Sequence, residues 1–410
     1  MNKFSLLHVH TTQGYAGELR RESQHIFNYR TEDAHCELSL TMPLTAKSYA
    51  ASILPGVLRQ NLPEGYLKSW MQEHFGKTLK LDDFNMLAIT GAQMIGRINI
   101  SQQKEKDDAL PAGENLSELL AWKGTEALFE HLAQKYAAMS GISGVQPKVL
   151  MPATRSSDDD RDSNRQRKNE SEREVVEKAT LTDRHLIVKA AGHDYPGLAE
   201  NEFHCMTIAR QAGLIVPDFW LSDDKGLFVT SRFDRDAQSG YLGFEDMTAL
   251  TGRQNEEKYT GSYEMIATAI ATFASPQFVA SSLEEFFKSV VLSVVVRNGD
   301  AHLKNFGLLY THPRSDDVRL SPLFDIVNTT SYLPKDTLAL KLAKTKSWPY
   351  RKELTEFGKQ ACRVDKASEI IDQIVDAAVH YRSAIEVGEI WTKARAEIDR
   401  SCLSLSQPVG

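Results

Sequence analysis

Between residues 282 and 310 the sequence passes from an apolar helical pattern straight into a polar loop, then out into an apolar strand pattern. The capping box Ser282-Leu283-Glu284-Glu285 signals a helix that continues through Phe286, Phe287, Val290, Val291, Val294 and Val295. Val294 to Val296 is an unbroken run of valine, so the helix is expected deep in a core, with Gly299 as its stop. The loop reads Arg297-Asn298-Gly299-Asp300-Ala301-His302-Leu303-Lys304-Asn305, and Phe306–Tyr310 follows as a strand. Polar residues pinned between two buried elements have little freedom to move, so the rest of the chain must be built around this point.

The chain has 410 residues, enough for two or three packed units. Its net charge of -7 gives no global basic field for nucleic acid, although a local patch stays open. Residues 1–110 read as a small α/β unit. Extended segments are expected at Phe4–His10, His25–Tyr29 and Cys36–Leu40, and a helix at Tyr66–Phe75. Residues 111–236 mix strands (Val149–Met151, Leu186–Val188, Leu227–Thr230) with a helix at Leu198–Gln211 that Gly213 should stop. Within them, residues 155–178 are dense in charge of both signs and lack apolar periodicity, so a flexible surface loop is expected there. Residues 237–410 are dominated by helical patterns, the last two at Lys366–Ile385 and Gly388–Asp399. The four cysteines lie far apart, the N-terminus does not resemble a signal peptide, and no run approaches the roughly 20 apolar residues of a membrane span. A cytoplasmic location with no membrane contact is the expectation.

An Asp followed five positions later by an Asn, as in Asp300 and Asn305, is the spacing of a protein-kinase catalytic loop. There the Asp reaches the attacking hydroxyl while the Asn holds a magnesium ion against the phosphates. The spacing is common by itself; its position after a buried helix gives it weight. Asp325, closing Leu320-Ser321-Pro322-Leu323-Phe324-Asp325, suits a second magnesium-holding carboxylate, although alone it reads more readily as a turn residue or helix cap. Lys189 ends the apolar run Leu186-Ile187-Val188, where a lysine is costly unless it meets an anion or reaches water at a strand edge. Glu200 or Glu202 on the next helix would orient it. The small-residue segment from Ser140 to Lys148 lets backbone N–H groups approach phosphate oxygens, or makes an ordinary turn; it is not a Walker A motif.

In order along the chain stand Gly144-Val145-Gln146-Pro147-Lys148, Ile187-Val188-Lys189, Glu200-Asn201-Glu202, Ser231-Arg232-Phe233-Asp234-Arg235, Asn298 to Phe306, and Leu320 to Ile326. Together they resemble the HipA-type serine/threonine kinases, over about residues 140–345 and more loosely over 1–110. The resemblance implies an α+β, bilobal kinase-like fold of the HipA/PI3K-like kind. An α/β N-terminal subdomain and ATP lobe would precede an all-helical C-terminal lobe. It implies Asp300 as proton acceptor, His302 and Lys304 at the nucleotide end of the loop, and Asn305 and Asp325 as magnesium ligands. Lys189 would contact the ATP phosphates with Glu202 behind it, and Ser231, Arg232 and Phe233 would read adenine through backbone groups. Ser143, Gly144, Val145, Gln146, Pro147 and Lys148 would form a phosphate loop that is also an autophosphorylation site in the family, with Ser143 the candidate here.

The implied activity is transfer of the γ-phosphoryl of ATP, with Mg2+, to a Ser or Thr of a cellular protein and to the chain itself. An aminoacyl-tRNA synthetase is the expected target, with arrest of translation and growth as the outcome. The implied partner is a HipB-like helix-turn-helix antitoxin, with DNA reached only through it. Two alternatives stand beside this: an antitoxin-binding transcriptional co-repressor whose kinase activity is secondary, and a small-molecule kinase.

Overall fold

The computed structural model describes residues 4–105, 113–154, 184–192, 194–236 and 240–406. The polar run at 155–178 lies outside the described residues. The first unit holds strands β1 (Leu6–Thr11), β2 (Gly14–Arg21), β3 (His25–Tyr29) and β4 (Ser48–Ala51), helices α1 (Gly56–Arg59), α2 (Gly65–Phe75) and α3 (Asp83–Thr90), and strand β5 (Asn99–Ser101). Its antiparallel sheet runs β4-β3-β2-β1-β5 and buries Leu7, Val9, Leu19 and Phe27 against Leu58 and Phe84.

The expected strand at Cys36–Leu40 is not one. Cys36 closes a 3-10 turn, and the next backbone N–H groups are satisfied by side chains: Leu38 N donates to Tyr29 Oη at 2.9 Å, and Leu40 N to Glu245 Oε1 at 2.7 Å. With those donors spent, no ladder is needed to bury Leu38.

The second layer comprises β6 (Glu114–Asn115), α4 (Leu116–Ala121), α5 (Thr125–Tyr136), β7 (Lys148–Thr154), β8 (Arg184–Ala190), α6 (Leu198–Gln211), β9 (Phe219–Leu221) and β10 (Leu227–Ser231). The sheet order is β6-β7-β8-β10-β9, antiparallel except for β6 with β7. Helix α6 ends as its sequence predicts. Gly213, at φ 80°, donates to Arg210 O at 3.1 Å, and Leu214 N to Ala209 O at 3.1 Å, the paired bonds of a Schellman cap.

The remainder is β11 (Arg235–Asp236), β12 (Gly240–Tyr241), β13 (Gly243–Asp246), α7 (Met247–Leu250), α8 (Tyr263–Phe273), α9 (Val279–Val295), β14 (Gly307–Tyr310), β15 (Arg319–Leu320), α10 (Arg351–Gln360), α11 (Ala367–His380) and α12 (Glu389–Ser406). The region is mostly helical but not the all-helical lobe expected: it carries a three-stranded antiparallel sheet, β13-β14-β15, whose middle strand is the one read at Phe306–Tyr310. Helix α9 is its axis: Phe286, Phe287, Val291, Leu292 and Val295 are fully buried among α8, α11 and α12. Each fully buried aliphatic or aromatic side chain contributes about 1.5–3 kcal/mol. Packing of this size makes a local cap dispensable.

Both expected ends of α9 shift. The helix begins at Val279, and Ser282 lies one turn inside it, where its Oγ accepts from Leu320 N at 3.0 Å and fastens β15 instead of capping. The C-terminal stop is Arg297 rather than Gly299. Arg297 takes φ 58°, its N donates to Val294 O at 3.3 Å, and Asn298 N donates to Ser293 O at 2.8 Å. This is again a Schellman cap, with a non-glycine residue held in the left-handed region by its surroundings.

Candidate functional site

The loop that leaves α9 is fixed bond by bond. Asn298 is buried, and its Oδ1 accepts from Asp300 N at 3.0 Å, a side-chain turn that fixes the backbone at Asp300, which lines the cleft. Gly299 N donates to Thr329 Oγ1 at 2.8 Å; any Cβ at 299 would lie 2.1 Å from Asp336 Oδ2, so only glycine fits. His302 N donates to Asn305 Oδ1 at 3.1 Å, which orients the Asn305 amide, and its Nδ2 donates to Asp325 Oδ2 at 3.0 Å.

The other oxygen of Asp325 accepts from Lys189 Nζ at 2.6 Å, and Lys189 also donates to Glu202 Oε1 at 2.6 Å. Lys189 comes from β8, Glu202 from α6 and Asp325 from the segment after β15. Three distant stretches therefore close one charge cluster. Glu202, not Glu200, makes the contact. Glu200 turns the other way and accepts from Gly388 N at 2.8 Å. Between them Asn201 ties α6 to the Asp325 segment, donating to Asn328 O at 2.8 Å and accepting from Asn328 N at 2.9 Å.

Lys148 stands directly across from Lys189 in the β7–β8 register. Two lysines facing each other on one pair of strands repel, an arrangement that favours anions nearby. Burial pushes the Lys148 ammonium down, and Asp325 only partly restores it. Burial would also discharge Lys189, but Asp325 and Glu202 outweigh that effect and hold it above the usual lysine value. Burial alone would raise the Asp325 carboxyl; Lys189 and Lys148 hold it instead well below the carboxylate range. Asp325 has φ 60°, a left-handed conformation that Asp tolerates better than most residues.

Asp300 behaves differently. Burial lifts its carboxyl to about 6, with Asp325 adding to the rise while Tyr259 and Lys258 oppose it. Tyr259 Oη donates to Asp300 Oδ1 at 2.6 Å. His302, pushed down to about 3 by burial and by Lys258, is neutral near pH 7.

These groups line one cleft of about 1200 Å³. Ser143, Gly144, Val145, Gln146, Pro147 and Lys148 form one wall; Lys189, Glu202, Asp300, His302, Lys304, Asn305 and Asp325 share the same space. Ser143 Oγ accepts from Lys304 Nζ at 2.5 Å. Gly144 has φ 128°, and a Cβ there would fall 2.4 Å from Lys148 Nζ, so the lysine fills the place of the missing side chain. Of the three residues expected to read adenine, Phe233 lines the cleft, stacked on Phe324 at 4.7 Å. Ser231 and Arg232 lie behind it. Their backbone N–H groups donate to Asp218 O and His185 O, and the Arg232 side chain pairs with Asp234 at 2.6 Å. Sequence reasoning missed Tyr259 and Glu64, whose partners lie 41 and 240 positions away and leave no local pattern; Asn201 stood in the Glu200-Asn201-Glu202 motif, but with no role assigned to it.

Two lobes meeting over a cleft, with a strand lysine, a helix glutamate and a loop Asp/Asn pair converging on one carboxylate, define a kinase-like fold. The chain belongs to the HipA family. Residues 140–381 match the family model of the HipA-like C-terminal domain, and residues 7–101 that of the HipA N-terminal domain. A Sinorhizobium fredii relative described as "Putative kinase Y4dM" is 30% identical over 311 residues, 72% of this chain and 67% of the relative. A Haemophilus influenzae relative described as "Putative kinase" is 30% identical over 215 residues, 48% of this chain and 55% of the relative. Among solved structures, a chain of the Shewanella oneidensis toxin–antitoxin complex of HipA, HipB and operator DNA aligns with a TM-score of 0.66. The alignment covers 98% of this chain and 100% of that one at 18% identity, a likeness of fold.

Proposed function

We propose that this chain is an ATP- and magnesium-dependent serine/threonine-protein kinase and the toxin of a toxin–antitoxin pair. The observation that carries the reading is the convergence of Lys189, Glu202, Asn305 and Asp325 on one cleft wall beside Asp300. The cleft also fits a nucleotide: two facing lysines invite phosphates, Gly144 lets the loop close over Lys148, and the buried Nδ1 of cleft-lining His302 has no hydrogen-bond partner among the described residues. Asp325 and Asn305 carry the oxygens that would hold Mg2+, an ion that takes one or two protein ligands and completes its shell with phosphates and water. As it stands Asn305 turns its Nδ2 to Asp325 and its Oδ1 to His302 N, so Asn305 would bind through the remaining lone pair of that oxygen.

When bound, ATP supplies the phosphoryl group and magnesium neutralises the charge that develops on it. Lys189 and Lys148 would hold the phosphates, Lys304 would stand beside them at the end of the loop, and Asp300 would accept the proton of the attacking hydroxyl. With a carboxyl at about 6, Asp300 is ionised at neutral pH yet basic enough to take that proton.

The protein substrate of this reading is an aminoacyl-tRNA synthetase, and the partner is a HipB-like helix-turn-helix antitoxin that carries the chain to DNA. The likeness to the Shewanella complex supports that partner, and it also favours a second reading in which the chain acts mainly as a co-repressor. Ser143 is the proposed autophosphorylation site: its hydroxyl lies inside the cleft on Lys304, and a phosphoryl group of about -1.5 to -2 charges there would repel nucleotide. No helix among the described residues is long and apolar enough to cross a membrane, and the four cysteines are unpaired and buried, which supports the cytoplasm as the site of action.

The test is phosphoproteomics on cells expressing the wild-type chain or Asp300→Asn. A phosphosite seen only with the wild type identifies the substrate. Equal phosphorylation by the purified variant would remove Asp300 from the chemistry.

A further inference from the structure

The cleft is not built from the two lobes alone. Gln60, Asn61 and Tyr66 of the first unit line it, and Glu64 between them bonds two of its lysines, Lys258 and Lys304, from behind. Lys304 has three N–H bonds to give, and all are taken: by Gln60 O at 3.0 Å, Glu64 Oε1 at 2.9 Å and Ser143 Oγ at 2.5 Å. The second oxygen of Glu64 accepts from Lys258 Nζ at 3.0 Å. Glu64 occupies the N-cap of α2, where Ser, Thr, Asp or Asn ordinarily accepts a bond from its own helix. It makes no such bond, and its carboxylate is committed to two lysines of the helical lobe. Burial would raise that carboxyl; Lys304 and Lys258 bring it down to about 2, so it is charged at any physiological pH.

The next two residues act on the phosphate loop. Gly65 takes φ 50°, and a Cβ there would lie 2.5 Å from Val145 Cα and Val145 O. Tyr66 N donates to Val145 O at 3.3 Å. One short segment therefore backs the phosphate loop and grips the lysine of the catalytic loop.

We propose that Glu64 is a positioning residue of the phosphotransfer site, holding Lys304 and Lys258 in the cleft and limiting the positive charge that the nucleotide phosphates meet. The inference rests on the kinase reading above. A carboxylate beside two cleft lysines repels incoming phosphates, so it weakens nucleotide binding. The same carboxylate keeps Lys304 aimed, so it favours turnover. Removing its charge should move the two quantities in opposite directions.

The experiment compares full-length wild type with Glu64→Gln and Glu64→Asp, measuring equilibrium binding of MgATP and the kcat and KM of phosphoryl transfer. Glu64→Gln is expected to bind MgATP about three- to tenfold more tightly while kcat falls about tenfold, the scale of one charge-assisted hydrogen bond. Glu64→Asp, which keeps the charge, should restore wild-type nucleotide affinity. In a Lys304→Gln background, Glu64→Gln should have little further effect on kcat. Unchanged or weaker MgATP binding by Glu64→Gln would overturn the proposal, as would binding and kcat falling together with melting temperature. A wild-type chain that transfers no phosphoryl group would count against the kinase reading, and the binding arm would still decide the role of Glu64.

Discussion

Lys189 Nζ and Asp325 Oδ1 lie 2.6 Å apart although 136 positions separate them in the chain. The pair joins strand β8 to the segment that follows β15, and Lys189 is the only cation hydrogen-bonded to Glu202 among the described residues. Replacing Lys189 by Met strands Glu202 in a buried site and leaves Asp325 with only Asn305 and the nearby Lys148. Breaking such a pair costs about 3–5 kcal/mol, eased if Glu202 takes up a proton. Removing a group that stabilises transferred charge costs about 10²–10³ in rate. Urea unfolding and initial phosphoryl-transfer rates of Lys189→Met should show both losses; wild-type stability would mean that the pair does not hold the lobes together.

The raised carboxyl of Asp300 makes a pH prediction. Its protonated form cannot accept the hydroxyl proton, so kcat/KM should fall as pH drops through about 6, well above the ordinary Asp range. Tyr259 donates to Asp300 and holds its carboxyl down. In Tyr259→Phe that restraint is gone, and the acid limb should move to higher pH. A limb that stays in place in the pH–rate profile would separate Tyr259 from the base.

Arg232 and Asp234 form an ion pair with both side chains almost fully buried, and Asp234 Oδ2 also accepts from Gly96 N at 2.5 Å. Asp234→Ala leaves an unpaired guanidinium in the interior and should destabilise the chain by about 3–5 kcal/mol. The check is a lowered urea midpoint with an unchanged slope.

Asn201 satisfies both backbone groups of Asn328 at once. Asn201→Ala should cost about 1–3 kcal/mol for each group left bare. Because α6 also carries Glu202, the variant should lose affinity for MgATP; titration calorimetry would show the drop, and unchanged binding would count against the coupling.

How much of this was legible in the sequence follows from distance along the chain. The loop from Asp300 to Asn305, the apolar run that Lys189 closes and the Gly213 stop all rest on neighbours within a few residues, and those readings needed only periodicity and caps. The choice between Glu200 and Glu202 needed the rotation of α6 about its axis. Ser282 had the pattern of a cap, yet tertiary packing let α9 start earlier and left the serine free to bind β15. Glu64 and Tyr259 carry no local pattern at all, since each acts on a residue that only folding brings near.

The backbone of Asp325 has a consequence for the gene as well as for the molecule. At φ 60° few L-residues sit without strain; Asp, Asn and Gly are the usual tenants. Glutamate, the closest chemical relative, would need a conformation that its longer side chain does not ease. Mutational drift at this codon is therefore confined twice, once by charge and once by handedness. A lineage that gave up the acid would be expected to settle first on Asn or Gly, and such a residue at this position in a relative would mark a chain that had kept its shape while abandoning its chemistry.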